Sequence, residues 1–247
     1  MLTSLRKIGL IPVFTPGLKD INQKVYVLVK TGVPCAAFAP QDLDILHLAA
    51  AVPGFIPGVT EVSSPQEAQA AAVYGAKFIV VSGPSVIQAA WAQEAGLVCV
   101  PASQLPGGLC PIPAKTAEDL VALEHFMNRE IRSMLAFDLR HVGINCPDEQ
   151  ASSKTAEQFE QIFGFPKEDR GGAYFAGDII EVMKKPFYGT HGHIAISTRS
   201  AESAAYHLAR NGVKFNWQSA GYNPDGRLRV VYLQEEIGGF AVHILQR

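Results

Sequence analysis

The chain has 247 residues and a formal net charge of -2, with 48% hydrophobic and 18% charged residues. That length allows one large core or two modest ones, and the balance is ordinary for a globular protein. There is no basic run and no apolar stretch near the ~18 residues of a membrane span, so neither nucleic acid nor a membrane is an expected partner. The N-terminus carries Arg6 and Lys7 and runs into a strand, without an apolar segment and cleavage site. No signal peptide is read, and a cytoplasmic location is expected. Cys35, Cys99, Cys110 and Cys146 lie far apart with no C-x-x-C spacing. Reduced, buried thiols fit this pattern; a disulfide frame or a zinc finger does not.

In chain order, Ile11 to Phe14 is apolar and closes on the turn signal Thr15-Pro16-Gly17. Ile21 to Lys30 has the 3-4 spacing of a helix through Ile21, Val25, Leu28 and Val29. Val33 to Phe38 is the next strand, Asp42 to Ala51 a helix and Phe55 to Val62 a third strand. Ser64-Pro65-Gln66-Glu67 starts a helix that stops at Gly75. Lys77 to Ser82 is a nearly continuous apolar strand, the pattern of a parallel sheet covered on both faces. Val86 to Ala95 and Leu97 to Val100 add a helix and a fifth strand. Such alternation at about 20 residues marks βα units. Lys115 to Arg132 reads as one long helix.

Ile11-Pro12-Val13, the helix ending at Thr31-Gly32, and Gly75-Ala76-Lys77-Phe78-Ile79-Val80 carry a resemblance over residues 7–132. This half is similar to the 2-keto-3-deoxy-6-phosphogluconate / 4-hydroxy-2-oxoglutarate aldolase family. That resemblance implies a (β/α)8 barrel, a Schiff-base lysine and a glutamate, both borne on strands, and phosphate held by glycine-rich loops. The chain departs from it. Leu97 to Pro101 offers no lysine, Cys35 to Ala39 no carboxylate, and after Pro101 the sequence jumps to a Gly107-Gly108-Leu109 segment like the family's last strand. About 135 residues fall short of the ~200 of a complete barrel. A shortened scaffold lacking its nucleophile is expected. Lys77 is the one rescue candidate, and it precedes the apolar run. Gly107 and Gly108 offer backbone N–H groups to a phosphate, with an ordinary turn as the competing reading.

From Leu139 the composition changes and an internal repeat of about 50 residues begins. His141-Val142-Gly143-Ile144-Asn145 and Gly192-His193-Ile194-Ala195-Ile196-Ser197 each open on or near a histidine. An amphipathic helix follows each, Glu149 to Phe163 and Ala201 to Asn211, and each helix ends at a glycine. Apolar β-segments come next, with Asn223-Pro224-Asp225-Gly226 as a hairpin signal. Glu181 and His243 sit in the last strand of their copies. The copies read as β-α-β-β, the first short of a strand between Phe165 and Gly172. Period-two alternation puts His193, Ala195 and Ser197 on one face and Ile194 and Ile196 on the other.

These motifs, with Ile237-Gly238-Gly239-Phe240, resemble the vicinal oxygen chelate superfamily of glyoxalase I and the extradiol dioxygenases. The resemblance implies two βαβββ modules curled around a metal, with one ligand from the first and one from the last strand of each. Those positions are His141, Glu181, His193 and His243. The fourth ligand is commonly glutamate, so His243 departs from the glyoxalase pattern. A structural or solvated role is the competing reading for any lone strand histidine. Imidazole and carboxylate suit Zn, Ni, Mn or Fe, and Glu181 doubles as the candidate proton shuttle. Glu235 and Glu236 are weaker candidates for a base, and His191 is the main competitor to His193, with a loop place near the pocket rim as its other reading. His47, His125 and His207 lie on helices.

The fold class expected is α/β: an incomplete (β/α) barrel-like domain over 1–135, then an α+β domain of two βαβββ-type modules over 139–247. The function expected is a divalent-metal-binding, glyoxalase-like protein for a small keto-acid or oxoaldehyde metabolite. The rivals are a class I aldolase and a non-catalytic metabolite-binding or scaffold protein. An incomplete barrel exposes strand edges, so a homo-oligomer is expected.

Overall fold

The computed structural model describes residues 1–83 and 85–247. The chain forms two compact units, Met1–Leu135 and Ala136–Arg247.

The first unit runs α1 (Leu2–Ile8), β1 (Leu10–Phe14), α2 (Ile21–Lys30), β2 (Cys35–Phe38), α3 (Leu43–Ala50), β3 (Ile56–Thr60) and α4 (Pro65–Val73). It continues with β4 (Phe78–Val81), α5 (Val86–Glu94), β5 (Val98–Pro101), β6 (Gly108–Ile112), α6 (Ala114–Glu118) and α7 (Leu120–Leu135). The six strands form a parallel half-barrel in the order β5-β4-β3-β2-β1-β6. β2 and β4 are buried throughout, as expected of strands covered on both faces. α2 turns Ile21, Val25 and Leu28 inward. β6 pairs with β1 from Leu10↔Gly108 to Phe14↔Ile112, while β5 pairs only with β4 among the described residues. The sheet is therefore open between β5 and β6, where the sequence jumps.

Two local expectations are corrected. The N-terminus does not run straight into a strand: α1 comes first, burying Leu5 and Ile8 and ending at Gly9 in a left-handed turn. The long helix over Lys115 to Arg132 is broken at Asp119. Its backbone is extended, and its carboxylate accepts hydrogen bonds from Val121 N (2.9 Å) and Ala122 N (3.1 Å). An aspartate caps a helix better than it continues one.

The second unit contains β7 (Asp138–Asn145), α8 (Glu149–Phe163), β8 (Lys167–Asp169), β9 (Ala173–Ala176) and β10 (Ile180–Met183). Its second module contains β11 (Gly192–Thr198), α9 (Ala201–Arg210), β12 (Phe215–Tyr222), β13 (Leu228–Leu233) and β14 (Phe240–Gln246). Both modules are βαβββ. The strand missing from the sequence reading is β8, an edge strand paired with β9 at Lys167↔Ala176, Glu168↔Phe175 and Asp169↔Tyr174. Its charged residues carry no apolar alternation, and charge is a common protection for an edge.

One mixed sheet joins the modules in the order β12-β13-β14-β11-β7-β10-β9-β8. The first and last strands of each module run parallel, β7 with β10 and β11 with β14, and β7 meets β11 antiparallel at the centre. Asp148 and Ser200 cap α8 and α9 through the amides of Ala151 and Ser203. Cys146, Ala156 and Val182 form a core joined by Ala151, Tyr174 and Ile180. Ile180 and Val182 thus pack toward α8, and alternation sends Glu181 to the opposite face.

Candidate metal centre

Strand register decides what meets on that face. In one row, Glu181 pairs with Gly143, Gly143 with His193, and His193 with Ala241. In the next row on the same face, His141 pairs with Ala195, Ala195 with His243, and His243 with Tyr232. All four predicted ligands therefore face the same side of the sheet.

The side chains converge. Glu181 Oε2 lies 3.0 Å from His141 Nε2 and 3.0 Å from His193 Nε2. The two Nε2 atoms are 3.2 Å apart. A ligand atom from each of His141, His193 and His243 lies within 4.8 Å of the others, so His243 completes the cluster. His193 and His243 are buried, and His141 and Glu181 partly so.

Hydrogen bonds alone leave the triangle frustrated. A carboxylate oxygen only accepts, and a neutral imidazole has one N–H and one lone pair. If both Nε2 atoms donate to Glu181, they oppose each other; if one does not, its lone pair faces the carboxylate. A cation inside the triangle would satisfy all three lone pairs. Octahedral donors about 2.1 Å from an ion lie about 3.0 Å apart, which the three edges match. The donor set thus fits a divalent cation.

Electrostatics follow from the packing. Burial raises the Glu181 pKa, but hydrogen bonds from His141 and His193 and their charges outweigh it, taking the carboxyl down to about 2. His243 is pushed down to about 3, first by burial and then by repulsion from His193 and His141. Neutral imidazole is the form that ligates a metal.

An aromatic wall borders the cluster that sequence reasoning missed. The Tyr232 ring lies 4.6 Å from that of His243 and 4.7 Å from that of Tyr188. Burial, then the charge of Glu181, raises the Tyr232 pKa and keeps the phenol protonated. Phe175, at the matching position of the first module, meets His141 edge-on at 6.0 Å. Phe187 and Tyr188 come from the segment between modules. Asn145 holds it, donating to Phe187 O (3.1 Å) and Gly189 O (2.8 Å) and accepting from Phe187 N (3.2 Å). Strand pairing, which sequence alone does not give, sets Tyr232 and Phe175 beside the last-strand residues His243 and Glu181.

The other predicted residues lie elsewhere. His191 is an exposed loop residue against Phe240. Glu235 is exposed, and Glu236 accepts from Thr190 N and Oγ1. His47 and His125 are on helices, while His207 is buried in α9. Lys77 is exposed, one residue before β4. Of the Gly107-Gly108 pair, Gly107 N donates to Gly9 O (2.7 Å) and Gly108 N to Leu105 O (3.2 Å). Gly108 N thus closes a turn, Gly107 N is bonded to the residue before β1, and a Cβ on Gly107 would lie 2.9 Å from Met134 Cγ.

No family model and no curated protein matches the chain. Solved structures do. The two halves have different neighbours. The N-terminal part is similar to a 4-hydroxy-2-oxoglutarate aldolase from TTHB1, with 25% identity and a TM-score of 0.36 over 53% of this chain and 69% of that one. It is also similar to the 2-keto-3-deoxy-6-phospho-gluconate aldolase of Zymomonas mobilis, with 15% identity and a TM-score of 0.41 over 52% and 94% of the two chains. The C-terminal part is similar to a Streptomyces coelicolor methylmalonyl-CoA epimerase in complex with 2-nitronate-propionyl-CoA. That match has 17% identity and a TM-score of 0.33 over 44% of this chain and 93% of that one.

Proposed function

We propose that the second unit is a divalent-metal site of the vicinal-oxygen-chelate type that binds or acts on a small keto-acid or oxoaldehyde. The first unit is then an aldolase-like half-barrel without aldol chemistry. The observation that carries this reading is the 3.0, 3.0 and 3.2 Å triangle of Glu181, His141 and His193, with His243 as fourth donor.

Three imidazoles and one carboxylate suit zinc, nickel, manganese or iron and leave room for a two-oxygen ligand. A bound divalent cation supplies Lewis acidity to those oxygens. Glu181 holds its place through Oε2, and Oε1 is the atom that takes or returns a proton. The Tyr232 hydroxyl, kept protonated, donates a hydrogen bond to a ligand oxygen. Phe175 and Tyr232 flank the cluster with apolar ring surface beside His141 and His243.

Stripping the protein with a chelator and titrating it with Zn or Mn tests this. The wild type takes up one equivalent, and His141→Ala or His193→Ala loses more than the roughly 10–100-fold typical of a supporting residue. A wild type that takes up no metal would instead favour the non-catalytic scaffold.

The half-barrel's outer strands, β5 and β6, each leave an edge unpaired among the described residues. Such edges recruit other strands, so the protein is a homo-oligomer in this reading. Sedimentation as a monomer at micromolar concentration would overturn it. The four free cysteines fit a reducing cytoplasm.

A further inference from the structure

The two rows of the sheet share a device. Each sets a small residue between two members of the cluster: Gly143 between Glu181 and His193, and Ala195 between His141 and His243. Neighbouring strands are about 4.8 Å apart, so the flanking backbones are separated by roughly 9.6 Å. Glu181 and His193 can meet at 3.0 Å only by reaching across the strand between them.

Gly143 is where that crossing is tightest. A Cβ there would lie 2.0 Å from His193 Cε1, 2.2 Å from Nδ1 and 2.5 Å from Nε2. The imidazole therefore occupies the volume a side chain would fill. A ring displaced by a methyl group would carry Nε2 away from Glu181 and from His141. Gly143 is not among the positive-φ glycines of the chain, so its backbone conformation does not demand glycine; the ring does. The same i+2 position after the other histidine is Ala195, which pairs with His141 on one side and His243 on the other.

We propose that Gly143 is a positioning residue of the metal centre: its missing side chain is the seat of the His193 imidazole, and alanine there dismantles the donor triangle. The consequence for metal rests on the metal-binding reading above, whereas the seating of the ring rests on the steric geometry.

The test compares wild type, Gly143→Ala, His193→Ala and the double variant in the full chain. Zinc titration followed by calorimetry gives one readout, and thermal unfolding of the metal-free proteins gives the other. Gly143→Ala lowers zinc affinity by roughly 10–100-fold. It also lowers the melting temperature when His193 is present and leaves it unchanged in the His193→Ala background, because the ring it would strike is gone. Such coupling is what a double-mutant cycle isolates. If Gly143→Ala alone does not fold, folding of the double variant reports the same coupling. Equal destabilisation in both backgrounds, or wild-type zinc affinity in Gly143→Ala, overturns the inference. A wild type that binds no zinc sinks the metal reading while the unfolding cycle still decides the seating of the ring.

Discussion

His243 couples donor chemistry to acid sensitivity. Burial, followed by repulsion from His193 and His141, pushes its pKa down to about 3, against about 6.5 in an unfolded chain. Between those values the unfolded state binds the extra proton, so stability rises with pH across the window and is complete above its upper end. Glu181 acts in the same direction at lower pH. With its carboxyl at about 2, it contributes stability above the ordinary carboxylate pKa and loses it as pH falls toward 2. Taking the metal-free protein from pH 7 to pH 5 should cost about 2 kcal/mol through His243 alone. Urea unfolding at the two pH values checks this. His243→Leu should flatten the difference; an unchanged slope would mean that His243 is not held neutral.

At the level of elements, legibility followed periodicity. The apolar runs of β2 and β4 mark a parallel sheet, and the alternation through β7 and β11 tells which residues share a face. β8 was hidden because Lys167, Glu168 and Asp169 form an edge strand whose pairing, not composition, makes it a strand. α1 was hidden because only Leu5 and Ile8 of its seven residues are buried, too few to set a helical stripe. Asp119 looks like one polar residue within a helix until its carboxylate is seen to cap the next one. At the site, alternation places Glu181 and the three histidines on strand faces. It cannot reveal the pairing of Gly143 with both Glu181 and His193, which depends on register between distant strands. The aromatic wall was equally out of reach, since Tyr188 arrives from a loop held by Asn145.

At the scale of the whole molecule, the two units pose the question of which one carries chemistry. A class I aldolase needs an amine projecting from a strand, with a pKa low enough to attack a keto acid. None of β1 to β6 contains a lysine. Lys77 is exposed outside β4, and Lys24 sits on α2 with its ammonium on the Lys19 carbonyl. The amides of Gly107 and Gly108 are bonded to Gly9 O and Leu105 O. The second unit, by contrast, gathers a carboxylate and three imidazoles around one point. Pyruvate with borohydride should therefore leave no reduced lysine adduct detectable by intact-mass measurement, while the same preparation binds zinc. An adduct mapped to Lys24 or Lys77 would return the chemistry to the half-barrel, because only a free, reachable amine can form the imine that borohydride traps.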